Sequence, residues 1–387
     1  MKKPFDTIII HGIKPYQMAE KGEKDMKKKV LAVLMAASMV VSLAACGDSS
    51  SSSDSSSADT STEASDAGDA SAVDASSFKI GLVTDTGGVN DQSFNQSAWE
   101  GLQAFAAETG AEVNYLESSG DTDYAPNIEQ FIDEEYDLII CVGYMLADAT
   151  MDAATANPDQ KFAIIDDSTC ADLDNVTCLT FKQQEASYLV GYVAGLVTET
   201  NNIGFVLGNA SETMHLFGYG YLAGAIDANP DVTVQQYNAA SFGDAAGGKS
   251  AATSMITNGA DIVFHAAGGT GVGVIEGCSE AGKYAIGVDQ DQNYLAPDCV
   301  LTSAMKRVDV AVQTVSQELV DGTIKGGIEV YELANGGVDI APTTTLLSDE
   351  VVAAVDDVKA KIISGEISVP SSQAEFEAAY GDVYNLD

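Results

Sequence analysis

The chain has 387 residues, 45% of them hydrophobic, with 58 acidic side chains against 18 basic and a formal net charge of −40. That length suits about two domains with sizeable cores, and so acidic a surface argues against nucleic acid as a partner. Six scattered cysteines and three histidines, with no Cys-x-x-Cys or His-x-x-x-His pair, exclude a zinc module and leave no metal and no cofactor implied.

Three lysines at 27–29 precede the apolar run from Val30 to Ala45, which ends in Leu43-Ala44-Ala45-Cys46. A basic start, a short apolar stretch and small residues before a cleavage point describe an export signal, and the run is shorter than the ~20 residues of a membrane span. Leu-Ala-Ala-Cys resembles the lipobox of bacterial lipoproteins, so residues 1–46 are expected to be an N-terminal extension and signal, with Cys46 as the lipidated first residue of the mature chain. Met26 is the expected true start. Residues 47–77 are almost wholly Ser, Asp, Ala, Thr and Glu, without an aromatic side chain. They cannot bury enough surface to offset chain entropy and are expected to be a flexible tether.

From Lys79 short apolar runs alternate with helical stretches. Expected strands are 79–85, 112–118, 137–143, 161–166 and 175–181, then a second series at 202–208, 232–238, 261–268, 284–289 and 300–305. Most are continuously apolar, as strands covered on both faces are. Amphipathic stretches at 93–109, 185–200, 213–228 and 271–282 separate them, so the fold class is α/β, with parallel sheets and right-handed crossovers. Two series predict two Rossmann-like lobes on a hinge: residues 78–182 with 304–324, and residues 183–303 with 325–387.

Open parallel sheets bind ligands beyond the carboxyl ends of their strands. Three expected strands end in aspartate, at Asp85, Asp166 and Asp289. Each either caps the following helix or offers an acceptor to a cleft; three together favour a cleft that takes hydrogen bonds from a neutral polar ligand. The turn from Asp85 to Gly101, DTGGVNDQSFNQSAWEG, adds Asn90, Asp91 and Phe94, the last in the first turn of a helix. Phe217 holds a similar place in the second series. The two rings either pack inward or flank a planar ligand.

These segments, together with FKQQEASYLVGYVAGL (181–196), FGYGYLAGA (217–225), NGADIVFHAAGGTGVGVIE (258–276), AIGVDQDQ (285–292) and TSAMKRVD (302–309), resemble the basic membrane protein family. Its members are lipoprotein substrate-binding components of ABC importers, close to purine nucleoside receptors. The resemblance runs from Lys79 to about Gly365. It implies the type I periplasmic-binding-protein fold, a nucleoside ligand, ABC permease subunits as partners, a lipid-anchored extracytoplasmic location and no enzymatic activity. It also implies that Phe94 and Phe217 sandwich the base, that Asp85 and Asn90 reach it, and that Asp166 approaches from the first lobe. Asp289 and Lys306 would hold ribose hydroxyls, with Gly268 or Gly269 bringing backbone close. Asp167 and Arg307, the immediate neighbours of Asp166 and Lys306, compete with them for those places.

Gly243 to Ser250, GDAAGGKS, is a formal P-loop match. Export to a compartment without ready ATP, and Asp244 where phosphates would sit, argue against a nucleotide site. A nucleoside hydrolase is the enzymatic alternative, but its calcium needs 6–8 oxygen ligands and only Asp85 and Asp91 lie close in sequence. A surface sensor or adhesin on the same fold is the third reading. Cys170 with Cys178, and Cys278 with Cys299, are the pairs able to form disulfides outside the cell, while Cys141 reads as a buried thiol.

Overall fold

The computed structural model describes residues 74–386. The expected signal, the lipidation site at Cys46 and most of the tether lie outside the described residues. Ala75–Ser77, expected to belong to the tether, form one 3₁₀ turn capped by the Asp74 carboxylate.

Strands β1 (Lys79–Val83), β2 (Glu112–Leu116), β3 (Leu138–Val142), β4 (Lys161–Ile165) and β5 (Val176–Phe181) come first, with α1 (Phe94–Thr109), α2 (Tyr124–Asp133) and α3 (Ala147–Ala156) between them. Helix α4 (Gln183–Val197) leads into β6 (Asn202–Leu207), α5 (Glu212–Ala228), β7 (Thr233–Asn238), α6 (Ala245–Thr257), β8 (Ile262–Ala266), α7 (Gly268–Glu280), β9 (Tyr284–Asp289) and β10 (Val300–Lys306). The chain closes with α8 (Val308–Val320), β11 (Gly327–Tyr331), β12 (Val338–Ile340), α9 (Asp349–Ile363) and α10 (Gln373–Tyr380).

Two six-stranded sheets result, ordered β11-β5-β4-β3-β1-β2 and β12-β10-β9-β8-β6-β7. Read in parallel, the orders superimpose: β1 answers β6, β3 answers β8 and β4 answers β9. Every pairing is parallel except that of β12 with β10. Strands β3 and β8 are buried at every residue, which is why they read as unbroken apolar runs. Helices α4 and α5 pack on each other through glycine: a Cβ on Gly191 would lie 2.1 Å from the Tyr221 carbonyl oxygen, and one on Gly224 2.0 Å from that of Tyr188.

Two of the lobe boundaries fall later in the chain than expected. Residues 304–306, expected in the first lobe, complete β10 in the second sheet. Residues 327–331, expected in the second lobe, form β11 on the edge of the first sheet, beside β5. The chain thus crosses between sheets three times; the first crossing, at Lys182, lies at the expected boundary, and the other two lie later than expected, at Arg307 and between Tyr331 and Val338. The missed strands are short edge strands, and β11 exposes Ile328 and Val330 alternately rather than burying a continuous run.

Candidate functional site

The carboxyl ends of both sheets border one cavity. Asp85 and Phe94 reach it from the β1–α1 connection, Asp166 from the end of β4, and Asp289 from the end of β9. Phe217 comes from α5 and Lys306 is the last residue of β10. Gly268, first residue of α7, lines the wall with φ of 53°.

Asp85 is held by its own loop. Its Oδ1 accepts from the Gly87 N–H at 2.8 Å and the Asn95 amide at 2.7 Å. Asp91 caps α1, accepting from the N–H groups of Ser93, Asn95 and Gln96. Burial pushes the Asp85 carboxyl up to about 6, against the pull of the Gly87 and Asn95 donors, and Asp91 and Asp166 raise it further. Burial likewise pushes Asp289 up to about 7, although Lys306 and the Ser93 hydroxyl oppose the shift. Low-dielectric surroundings disfavour the charged form of both.

Lys306 is buried, pairs with Oδ2 of Asp166, and stands 4.7 Å from the ring centre of Phe94 and 5.7 Å from that of Phe217. The other oxygen of Asp166, Oδ1, is buried without a hydrogen-bond partner. The competing neighbours point elsewhere: Asp167 accepts from Thr169 in an exposed turn, and Arg307 pairs with Asp309.

Seven of the eight expected ligand-binding residues border this cavity; Asn90 does not. It is exposed on the rim, in a shallow groove with Gln92, Gln96 and Tyr294, because the Val89 N–H is tied to Glu117 and the loop turns Asn90 outward. Asn95, the buried second residue of α1, takes the place next to Asp85. Phe242 was not anticipated either. It enters from the β7–α6 connection, is half-buried at the cavity wall, and lies against Gly268 and Gly269. Its signal in the sequence was an aromatic residue directly before a Gly-Asp helix start, the same context that produced the P-loop match.

That P-loop match has a structural explanation. Asp244 caps α6 by accepting from the Gly247 N–H at 2.9 Å, and Lys249 pairs on the surface with Glu276 and Glu280. A Cβ on Gly248 would lie 2.0 Å from the Thr270 carbonyl oxygen, so this glycine serves helix packing. The disulfide expectation is corrected: Cys141, Cys170, Cys178, Cys278 and Cys299 are all free and buried. Cys178 sits inside β5, and the Cys299 thiol donates to the Lys283 carbonyl at 3.2 Å.

The chemistry available is that of a receptor. Carboxylates from both lobes accept hydrogen bonds, aromatic rings offer flat apolar surface, and the lysine that lines the wall is already paired. Comparison with known proteins agrees. The Bmp family model, described as ABC transporter substrate-binding protein PnrA-like, matches residues 78–373. The CD4+ T-cell-stimulating antigen of Listeria monocytogenes is 40% identical over 371 residues, covering 89% of this chain and 99% of that protein. The ABC transporter nucleoside-binding protein BmpA of Lactococcus lactis is 38% identical, with 89% and 100% covered. Basic membrane protein A of Borreliella burgdorferi is 39% identical, with 77% and 89% covered. Among solved structures, a solute-binding protein of an Aeropyrum pernix ABC transporter superimposes with a TM-score of 0.71 at 28% identity, covering 78% of this chain and 96% of that one. The chain is therefore a substrate-binding protein rather than an enzyme, and it belongs to the Bmp family of PnrA-like ABC transporter substrate-binding proteins.

Proposed function

We propose that this protein captures nucleosides, purine nucleosides foremost, and delivers them to ABC permease subunits from the outer face of the membrane, where a lipid on Cys46 retains it. One observation carries the reading: Phe94 of the first lobe and Phe217 and Phe242 of the second border the same cavity as Asp85, Asp166, Asp289 and Lys306. Flat rings suit a base, and a two-ring base offers more surface to them than a one-ring base. Buried carboxylates suit ribose hydroxyls and base N–H groups, with Gly268 letting backbone approach the sugar. A 5′-phosphate would meet three carboxylates and a lysine that is already paired. The nucleoside-binding name of the Lactococcus lactis relative supports the same ligand class.

A thermal-shift screen of nucleosides, free bases and ribose tests this. A ligand that binds only the folded state raises the melting temperature in proportion to the logarithm of its concentration over Kd. Purine nucleosides should give the largest shifts; no shift with any nucleoside would sink the reading. For the anchor, Cys46→Ser should release the protein from the membrane fraction, and unchanged fractionation would refute lipidation there.

A further inference from the structure

We propose that Asn95 is a positioning residue that commits Asp85 to a pure acceptor role toward the ligand, so that the site selects nucleosides whose base presents an N–H group. This deepens the nucleoside reading and rests on it. Asn95 is 1% exposed and lies between two buried carboxylates. Its amide nitrogen donates to Oδ1 of Asp85 at 2.7 Å and to Oδ2 of Asp91 at 3.0 Å, while its carbonyl oxygen accepts from the Asp85 backbone N–H at 3.2 Å. Both amide protons and the carbonyl are thereby engaged. No other uncharged side chain of this size offers two donors and an acceptor in that arrangement.

The consequence falls on Asp85. With the Gly87 N–H and the Asn95 amide both on Oδ1, that oxygen is filled, and no described residue donates to Oδ2. A Cβ built on Gly143 would lie 3.3 Å from Oδ2 of Asp85 and 3.4 Å from Cε1 of Phe94. The free oxygen and the edge of the Phe94 ring thus border the same space in front of Gly143, which is where the rim of a base stacked on that ring would lie. An ionised carboxylate is acceptor-only, so it rewards a base N–H and leaves a ring nitrogen lone pair facing a negative charge. Asn95 also separates Asp85 from Asp91; a carboxylate in its place would put three acids in contact, and like charges at that range cannot all ionise.

Inosine and purine riboside make the probe pair. They share ribose and a two-ring base, but purine riboside has no N–H on its base. Calorimetric titration of the full chain at pH 8 should show inosine binding on the order of 10- to 100-fold tighter than purine riboside, the range of a hydrogen bond to a charged acceptor. Asn95→Asp should bring that ratio to within a few-fold, chiefly by weakening inosine. Equal affinities in the unsubstituted protein overturn the proposal whether or not the variant folds. A variant that keeps the ratio, or that loses both ligands in proportion, overturns it too and leaves Asn95 with a merely structural role. Absence of binding by both nucleosides to the unsubstituted protein would instead refute the nucleoside reading itself.

Discussion

Asp166 and Asp289 hold equivalent places in the two lobes, each at the carboxyl end of the fourth strand of its sheet, with φ of 68° and 65°. Each is gripped from the opposite side of the cleft. Asp166 of the first lobe pairs with Lys306 from the second sheet, and Asp289 of the second lobe accepts from the Ser93 hydroxyl of the first. Left-handed backbone at a non-glycine residue costs on the order of 1–3 kcal/mol and persists where the surroundings fix it. Here it turns each carboxylate toward the cavity. Further bonds join the same rims: the Gln292 amide donates to the Gln92 carbonyl at 2.8 Å, and the Thr213 hydroxyl to that of Asp166 at 3.2 Å.

Closure should depend on pH. The Asp85 and Asp289 carboxyls stand at about 6 and about 7 with the two rims bonded across the cleft, an arrangement taken as the closed form, above the ~3.9 of an aspartate that opening would hydrate. The closed form thus binds more protons, so their contribution to closure is present at low pH and lost as pH rises through 6 to 7. Small-angle scattering of the ligand-free protein should show a smaller radius of gyration at pH 5 than at pH 8. The Asp85→Asn, Asp289→Asn double variant should lose that difference; a variant as pH-sensitive as the parent would refute the assignment.

The aromatic walls should not be equal. Phe94 and Phe242 are half-buried at the cavity, whereas Phe217 is only 3% exposed. Base stacking is worth about 1–3 kcal/mol per ring. Phe94→Ala and Phe242→Ala should each weaken nucleoside binding about 10- to 100-fold with little change in melting temperature. Phe217→Ala removes a buried ring and should lower stability as well, by ~3–5 kcal/mol. Lys249→Ala, in the P-loop look-alike, should leave affinity unchanged, and nucleoside Kd values with denaturation midpoints for the four variants decide this.

Five thiols should be silent in the native protein. Burial pushes Cys141 and Cys178 up to about 12, far from the thiolate that reacts with alkylating reagents. Peptide mapping after iodoacetamide should find Cys141, Cys170, Cys178, Cys278 and Cys299 unmodified before unfolding and labelled after it, with or without reductant. A Cys170–Cys178 cross-link in non-reduced digests would contradict the free thiols.

What the sequence disclosed follows from what its pattern encodes. The ten expected strands coincide with β1 to β10; eight of them are covered on both faces and leave an unbroken apolar run, whereas the edge strands β2 and β7 contain no buried residue and show only as β-rich stretches between helices. Strands β11 and β12, five and three residues long at the sheet edges, leave none. Asp85, Asp166 and Asp289 were legible because strand ends in a parallel sheet predict where ligands go. Choosing Asn95 over Asn90 required knowing which way the loop turns, and that depends on Glu117, 28 residues from the Val89 N–H it accepts. The pairing of Ser93 with Asp289 joins residues 196 positions apart, and no local pattern announces it. Phe242 was hidden for a different reason: the glycines after it are explained by helix packing, but they read first as a nucleotide loop.

On the proposed function, a neutral nucleoside is held between acceptor groups of both lobes. Calorimetric titration of the full chain with inosine and with inosine 5′-monophosphate tests it most directly. Inosine should bind at a single site with a micromolar Kd or tighter, about 8 kcal/mol or more. The monophosphate should bind at least about tenfold more weakly, since its charge must enter beside Asp85, Asp166 and Asp289. No heat with inosine, or a monophosphate that binds more tightly than its nucleoside, would contradict it.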